Sequence, residues 1–441
     1  MRVLQTEGPA AVRDRVLDRL ADARRDRAYV PLSETDAASF QTPVLNLLAT
    51  LPSPRLGGVP TQLLARLRFE ERQRTVALLY PTGGGYRLEV TQALRRGRLD
   101  LTGSALDPTT LADAAFEAAV LGAVKRVGAR VLHPEGLAGL PLESLLRLRG
   151  KGLKLVLSVH DFALFCARPH LMERPAERFC DYCRDLDRCQ RCLAVDWRLP
   201  EAFQARRRAI SAELLASAEA VVYPSSFLRD RHADLFAGLD PTRQHVIAPA
   251  VELPVLPSRG AGSRPIRHIA YAGAVHAHKG ALVFEEVVKA LASTPGLRFT
   301  VFGGGDPSLL MRLRRLPRVK MRGYYRAGSL PSLLRREGVN LALLLSIWPE
   351  SYGITLDECH AAGVPVVAFD LGAMGERVRR EGYGTVVGME GGAGGVAQAI
   401  TAFGAGWMQQ EGASVEATAA NPASPRESAT HILRLYSKGL W

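Results

Sequence analysis

The sequence predicts an α/β protein made of two Rossmann-like βαβ domains, and three observations carry that expectation. Short β-branched apolar runs alternate with helical patterns from Pro43 onward, the rhythm of a mostly parallel sheet. A Pro/Gly/Ser-rich stretch, Ala250 to Arg267, interrupts the rhythm once, and a second series follows it. The third observation is Ser346 to Phe369, SIWPESYGITLDECHAAGVPVVAF. It reads as loop, helix start, helix, Gly-Val-Pro stop and a strand buried on both faces. The expected organisation is an N-terminal arm over 1–39, a first domain over 40–255 and a second over 256–420. A C-terminal helix over 421–441 completes it.

Composition narrows the class. The chain has 441 residues, 47% apolar and 23% charged, ordinary values for a globular protein with sizeable cores. No apolar run approaches the roughly 18 residues a bilayer span needs, and MRVLQTEGPAAVRDRV has no signal-peptide core. A cytoplasmic protein is expected. A net charge of +13 favours polyanionic partners such as nucleotide diphosphates or anionic lipid headgroups. No nucleic-acid motif accompanies the charge, so no nucleic-acid partner is expected. In the arm, Val12, Val16, Leu17 and Leu20 share one face of a basic helix. That face is narrow, which favours packing on the body or a loose tail over peripheral contact with an anionic inner-membrane surface.

In the first domain VLNLLATL reads as a strand, followed by a turn ending in Gly57-Gly58 and a helical TQLLARLRF. Paired glycines there let backbone approach a ligand closely, although a plain turn needs none. TVALLY, ARVL, LKLVLSV and AVVY read as further strands. LKLVLSV delivers His160-Asp161 at its C-terminal end, where ligands sit in open α/β sheets. A neutral imidazole there can bond a sugar hydroxyl; the bland alternative is a satisfied structural histidine.

A Cys-rich loop over 162–195 follows. Cys180, Cys183, Cys189 and Cys192 form two C-x2-C pairs five residues apart, a spacing that suits a structural zinc ion. Unliganded thiols, an iron–sulfur cluster and disulfides are the alternatives. Asp185-Leu186-Asp187 lies between the cysteines and not at a strand end, so this D-x-D is read as chance, and no catalytic metal is expected.

In the second domain Lys279-Gly280 places an ammonium near a helix N-terminus. FTVFGGGDPS and VKMRGYY read as strands running into turns. In the stretch from Ser346, the N–H groups near Gly353, Ile354 and Thr355 form an anion site after the Ser351-Tyr352-Gly353 turn. Glu350 in the loop and Glu358 on the helix accept hydrogen bonds from hydroxyls on either side of it. The layout fits a diphosphate with a sugar at each end.

These residues resemble the E-x7-E signature of retaining, family-4-type (group 1) glycosyltransferases of the GT-B fold. The match holds at Ser346, Glu350, Gly353, Glu358, Ala361, Gly363, Pro365, Val366, Val367 and Ala368, and departs at Leu345 and Cys359. The resemblance implies two domains facing a cleft and a C-terminal helix crossing back to the first. It implies Lys279 on the donor diphosphate, Glu350 on the transferred sugar, Glu358 on the ribose and Gly323-Tyr324 against the base. It also implies Gly57-Gly58 facing the donor and His160 approaching the sugar. Ala274 stands where the family has a second phosphate-binding arginine. The expected reaction moves a sugar from a nucleotide-diphospho-sugar to a glycan, lipid-linked or small-molecule acceptor with retention. A sugar-nucleotide hydrolase or epimerase, a non-catalytic sugar-nucleotide-binding subunit and a metal-dependent interaction module are the other readings.

Overall fold

The computed structural model describes residues 5–33, 39–93, 95–256, 266–406 and 423–437. Parts of the expected arm, linker and C-terminal tail (34–38, 257–265, 407–422 and 438–441) lie outside the described residues. The chain divides into two compact units. The N-terminal unit comprises Asp22–Val251 and Ala423–Trp441; the C-terminal unit comprises Met1–Ala21 and Glu252–Pro422. The opening residues therefore group with the second series of strands. Helix α1 (Pro9–Arg27) begins among them.

In the N-terminal unit β1 (Val30–Pro31), β2 (Val44–Leu47), helix α2 (Gly58–Glu70) and β3 (Val76–Thr82) come first. Then follow β4 (Gly85–Gln92), β5 (Arg95–Leu101), β6 (Val131–Pro134) and β7 (Lys154–Ser158). Next are β8 (Met172–Glu173), β9 (Arg178–Phe179), helix α3 (Leu186–Ala194), β10 (Ala220–Tyr223) and β11 (Gln244–Val246). The large sheet has the order β1-β5-β4-β3-β2-β6-β7-β10-β11. From β3 to β11 its neighbours run parallel. The order reverses between β2 and β6, so the segments after those strands border a crevice at their carboxyl ends. The β3-β4-β5 antiparallel meander is absent from the sequence reading, where only TVALLY registers as a strand.

The C-terminal unit carries β12 (His268–Ala272), β13 (Arg298–Phe302), β14 (Val319–Gly323) and β15 (Leu341–Leu344). Helix α4 (Ile354–Ala361), β16 (Val366–Phe369), helix α5 (Gly372–Glu381), β17 (Gly384–Val387) and helix α6 (Gly392–Gly406) follow. All six strands are parallel, in the order β14-β13-β12-β15-β16-β17. Here the reversal falls between β12 and β15. Apolar clusters cover both faces of this sheet, which is why its strands read as unbroken hydrophobic runs. Glycines make α6 a poor helix on propensity alone, yet Val396 and Ile400 bury in that core and packing holds it. Helix α7 (Pro425–Ser437) returns to the N-terminal unit, where Ile432 and Tyr436 pack on Val44, Val131, Val156 and Val222.

Helix α1 departs from the usual amphipathic logic. Ala11 and Asp14 are buried, whereas Val16 and Leu20 are 48% and 51% exposed. Its acidic side faces inward because arginines and a tyrosine await it there. The apolar stripe in the sequence marks the outer face.

Candidate functional site

At the β12–β15 reversal two loops are stapled together. The Tyr271 hydroxyl lies 2.9 Å from the Ala274 carbonyl and 3.0 Å from that of Lys279, which closes the loop after β12. The turn Ala277–Lys279 ends at Gly280, whose φ of +78° and contact with the Leu345 carbonyl leave no room for a Cβ. The Ile347 N–H donates to the His278 carbonyl at 2.9 Å. This places Lys279 Nζ 2.5 Å from Glu350 Oε1 and 5.0 Å from the Trp348 ring. The Ser346 hydroxyl donates to the same carboxylate oxygen. Lys279 and Glu350 are partly exposed, so a ligand can reach both. Burial lowers the pKa of His276, in the same loop as Lys279.

Ser351, Tyr352 and Gly353 form the turn before α4, with Gly353 as its N-cap and Ile354 and Thr355 in its first turn. Arg377, absent from the sequence reading, holds that turn. Its guanidinium bonds Asp357 at 2.5 Å and Glu381 at 2.9 Å, and reaches the carbonyls of Tyr352 and Gly353 at 3.3 and 3.4 Å. It also lies 4.2 Å from the Tyr352 ring centroid. An acid at 357 beside Glu358, on a helix packed against the core, was the available signal. Its partner on the next helix is a tertiary fact.

Glu358 is buried, and no salt bridge engages it among the described residues. Burial first, and then neighbouring Asp357, push its carboxyl up to about 8, while a backbone hydrogen bond from Gly328 pulls the other way. Glu350 thus faces the loop after β12, and Glu358 faces the loop after β14. Gly323 and Tyr324 end β14, where residues from the chain's own N-terminus lie against them.

The N-terminal unit assembles its own group. Gly57 and Gly58 begin α2, and Gln62, one turn on, places Nε2 3.1 Å from His160 Nδ1. With the amide donating, that contact leaves His160 Nε2 to carry the proton. Burial depresses the His160 pKa to about 4, so the ring is neutral. Beneath it Arg66 pairs with Glu135 and with Glu70 at 2.8 Å. Asp161 accepts the Ala163 N–H at 2.8 Å and orients the following turn. The glycine loop and His160 are therefore neighbours through Gln62, a link the sequence reading missed because a glutamine in a helix carries no signal.

Cys166, Cys180, Cys183, Cys189 and Cys192 line one cavity, yet among the described residues no three His, Cys, Asp or Glu side chains are grouped to hold a metal ion. Local groups reach two of the sulfurs. Cys192 Sγ accepts the Arg174 N–H at 3.2 Å, and Cys189 Sγ lies 3.5 Å from the Cys183 carbonyl and 3.4 Å from Arg208. Asp185 caps α3 through the Arg188 N–H, a structural use of the D-x-D.

Residues 266–405 match the family model described as Glycosyl transferases group 1, a segment that contains Lys279, Glu350 and Glu358. That match falls within the C-terminal unit. Sucrose-phosphate synthase from Thermosynechococcus elongatus is similar in structure, at 17% identity and a TM-score of 0.62, covering 90% of this chain and 99% of that one. The Anabaena HepE protein in complex with UDP aligns at 16% identity and a TM-score of 0.60, over 90% of this chain and 100% of its own. A glycosyltransferase from Rickettsia africae aligns at 15% identity and a TM-score of 0.60, over 91% and 99%. These likenesses show the fold, which with the mostly parallel sheet of one unit and the all-parallel sheet of the other is of the GT-B class. A comparison with curated proteins returned no match.

Proposed function

We propose that the protein transfers a sugar from a nucleotide-diphospho-sugar to an acceptor with retention of anomeric configuration. One observation supports this above the others. At the reversal of an all-parallel sheet, Lys279, Ser346 and Glu350 converge beside the start of α4, while Glu358 is kept buried without a cation. In the resting site Lys279 and Glu350 satisfy each other. A donor separates them: its diphosphate takes the ammonium and the α4 N–H groups, and its sugar hydroxyls take Glu350. Ribose hydroxyls would add donors to the one that Gly328 already gives Glu358, and a buried acceptor of this kind discriminates strongly against a ligand without them.

The acceptor oxygen attacks the anomeric carbon on the face from which the diphosphate departs. The bond from that carbon to the phosphate oxygen breaks, and the departing phosphate receives the acceptor's proton. Lys279 and the helix N-terminus stabilise the charge that collects on the leaving group. His160, held by Gln62 with Nε2–H available, is assigned to a hydroxyl of the transferred sugar. Similar structures have been solved in complex with UDP, with UDP-glucose, and with ADP and acarbose. A nucleoside-diphosphate sugar is accordingly the class to test, with a glycan or lipid-linked acceptor in the cytoplasm. Exposed Val16, Leu17 and Leu20 beside Arg13 and Arg19 suit peripheral contact with an anionic membrane surface. The test is a thermal-shift screen of nucleotide sugars, then product analysis of anomeric configuration with wild type and Glu350→Gln. Product with inverted configuration, or free sugar alone, would replace this reading with an inverting enzyme or a hydrolase.

A further inference from the structure

Tyr324 is the residue that the reading above places against the donor's base, and its recognition groups are already engaged. Its N–H donates to Glu7 Oε2 at 2.8 Å. Its hydroxyl donates to Asp18 Oδ2 at 2.6 Å, and its carbonyl accepts from Arg322 at 3.2 Å. The Arg15 guanidinium covers its ring at 4.4 Å from the centroid. Three of these four partners belong to the chain's first eighteen residues.

The surrounding contacts fix that segment in place. Asp14 bonds buried Arg322 at 2.8 Å, Asp18 bonds Arg326 at 2.8 Å, and Arg15 bonds Glu7 at 2.6 Å. A Cβ on Gly323 would meet the Glu7 backbone and the Ala11 side chain, and one on Gly304 would meet Arg15 and Glu7. The bare backbone after β13 and β14, which a nucleotide would need to approach, is therefore approached by α1. Glu7 is itself buried, and each of its oxygens already accepts a hydrogen bond, one from Tyr324 and one from Arg15.

We propose that residues 5–21 form an intramolecular strap that occupies the base end of the donor site, so that nucleotide binding requires its release. This inference rests on the donor-site reading. Its consequence is a reduced apparent affinity, because only the released fraction of the protein binds. The latch is ionic at its edge, where Arg326 and Arg15 are partly exposed, and is weaker at high salt.

The test combines calorimetry of UDP, ADP and GDP with hydrogen exchange of the full chain. Glu7→Ala/Asp18→Ala opens the latch and leaves the buried Asp14–Arg322 pair intact, since breaking that pair would strand a charge. The double variant is expected to bind the preferred nucleotide about tenfold tighter than wild type. In wild type, saturating nucleotide is expected to speed exchange over residues 5–21, a readout that needs no variant to fold. A nucleotide that binds wild type, loses affinity in Lys279→Ala and leaves exchange of 5–21 unchanged would overturn the strap and spare the donor site. Weaker binding by the double variant would make the segment part of the site and also overturn the strap. Binding of no nucleotide to either form would sink the donor-site reading and the strap with it.

Discussion

The two units place polar groups at the carboxyl ends of parallel strands in opposite ways. In the C-terminal unit the reversal point carries a partly exposed ion pair, Lys279–Glu350, whose members come from loops after two adjacent strands. In the N-terminal unit the half-buried His160 rests on Gln62, and nearby Arg66, Glu135 and Glu70 form a buried ionic network. A partly exposed pair can be parted by a ligand that offers both members new charged or hydrogen-bonding partners. A buried network resists rearrangement and fixes orientation. The difference is between a pair open to a ligand and a set of groups that position one another.

That contrast can be broken most sharply at the ion pair. Lys279→Ala and Glu350→Gln are each expected to lower kcat/KM by about 100-fold or more, with Tm nearly unchanged, because the residues answer to the ligand and not to the fold. Equal activity in either variant, in a steady-state transfer assay, would remove the site from the reversal point. Arg377→Met tests the opposite behaviour within the same unit. It strands Asp357 and Glu381 in a buried setting and is expected to cost about 3–5 kcal/mol in chemical denaturation.

Gln62→Leu sharpens the positioning half. A drop in kcat of about tenfold is expected with donor KM preserved, since one hydrogen bond that fixes a tautomer is lost. Nitrogen chemical shifts of His160 should show mixed tautomers in the variant and Nε2–H alone in wild type.

A smaller effect is expected from Glu358, whose folded pKa is raised to about 8. Its contribution to stability is full below the ordinary carboxylate range. It is lost as pH rises toward 8, because the unfolded chain releases the proton first. Tm should therefore fall between pH 5 and 8 in wild type, and the slope should flatten in Glu358→Gln. Least of all, Cys192→Ser keeps an acceptor for the Arg174 N–H and should cost under about 1 kcal/mol, with transfer unchanged.

The legible parts of this protein were those whose physics is local. A Gly-Val-Pro stop, a β-branched strand, Lys279-Gly280 before a helix and two acids eight residues apart all announce themselves within a short window. Backbone preference and helix-end electrostatics act over that range. The β4–β5 meander was missed because its strands depend on each other for burial more than on their own pattern. The cysteine spacing alone could not say what the sulfurs contact, because C-x2-C pairs five residues apart can converge or can each find a nearby N–H, and only packing chooses.

By itself the sequence determined two α/β domains, the linker between their strand series and the group 1 signature on the second. Tertiary structure decided which way α1 faces, that Arg377 clamps the Tyr352–Gly353 turn, and that Gln62 meets His160. Each of these joins residues 20 to about 300 positions apart. A charged or amide side chain has no periodic signature of its own, and its meaning appears only when the partner that desolvates with it is in place.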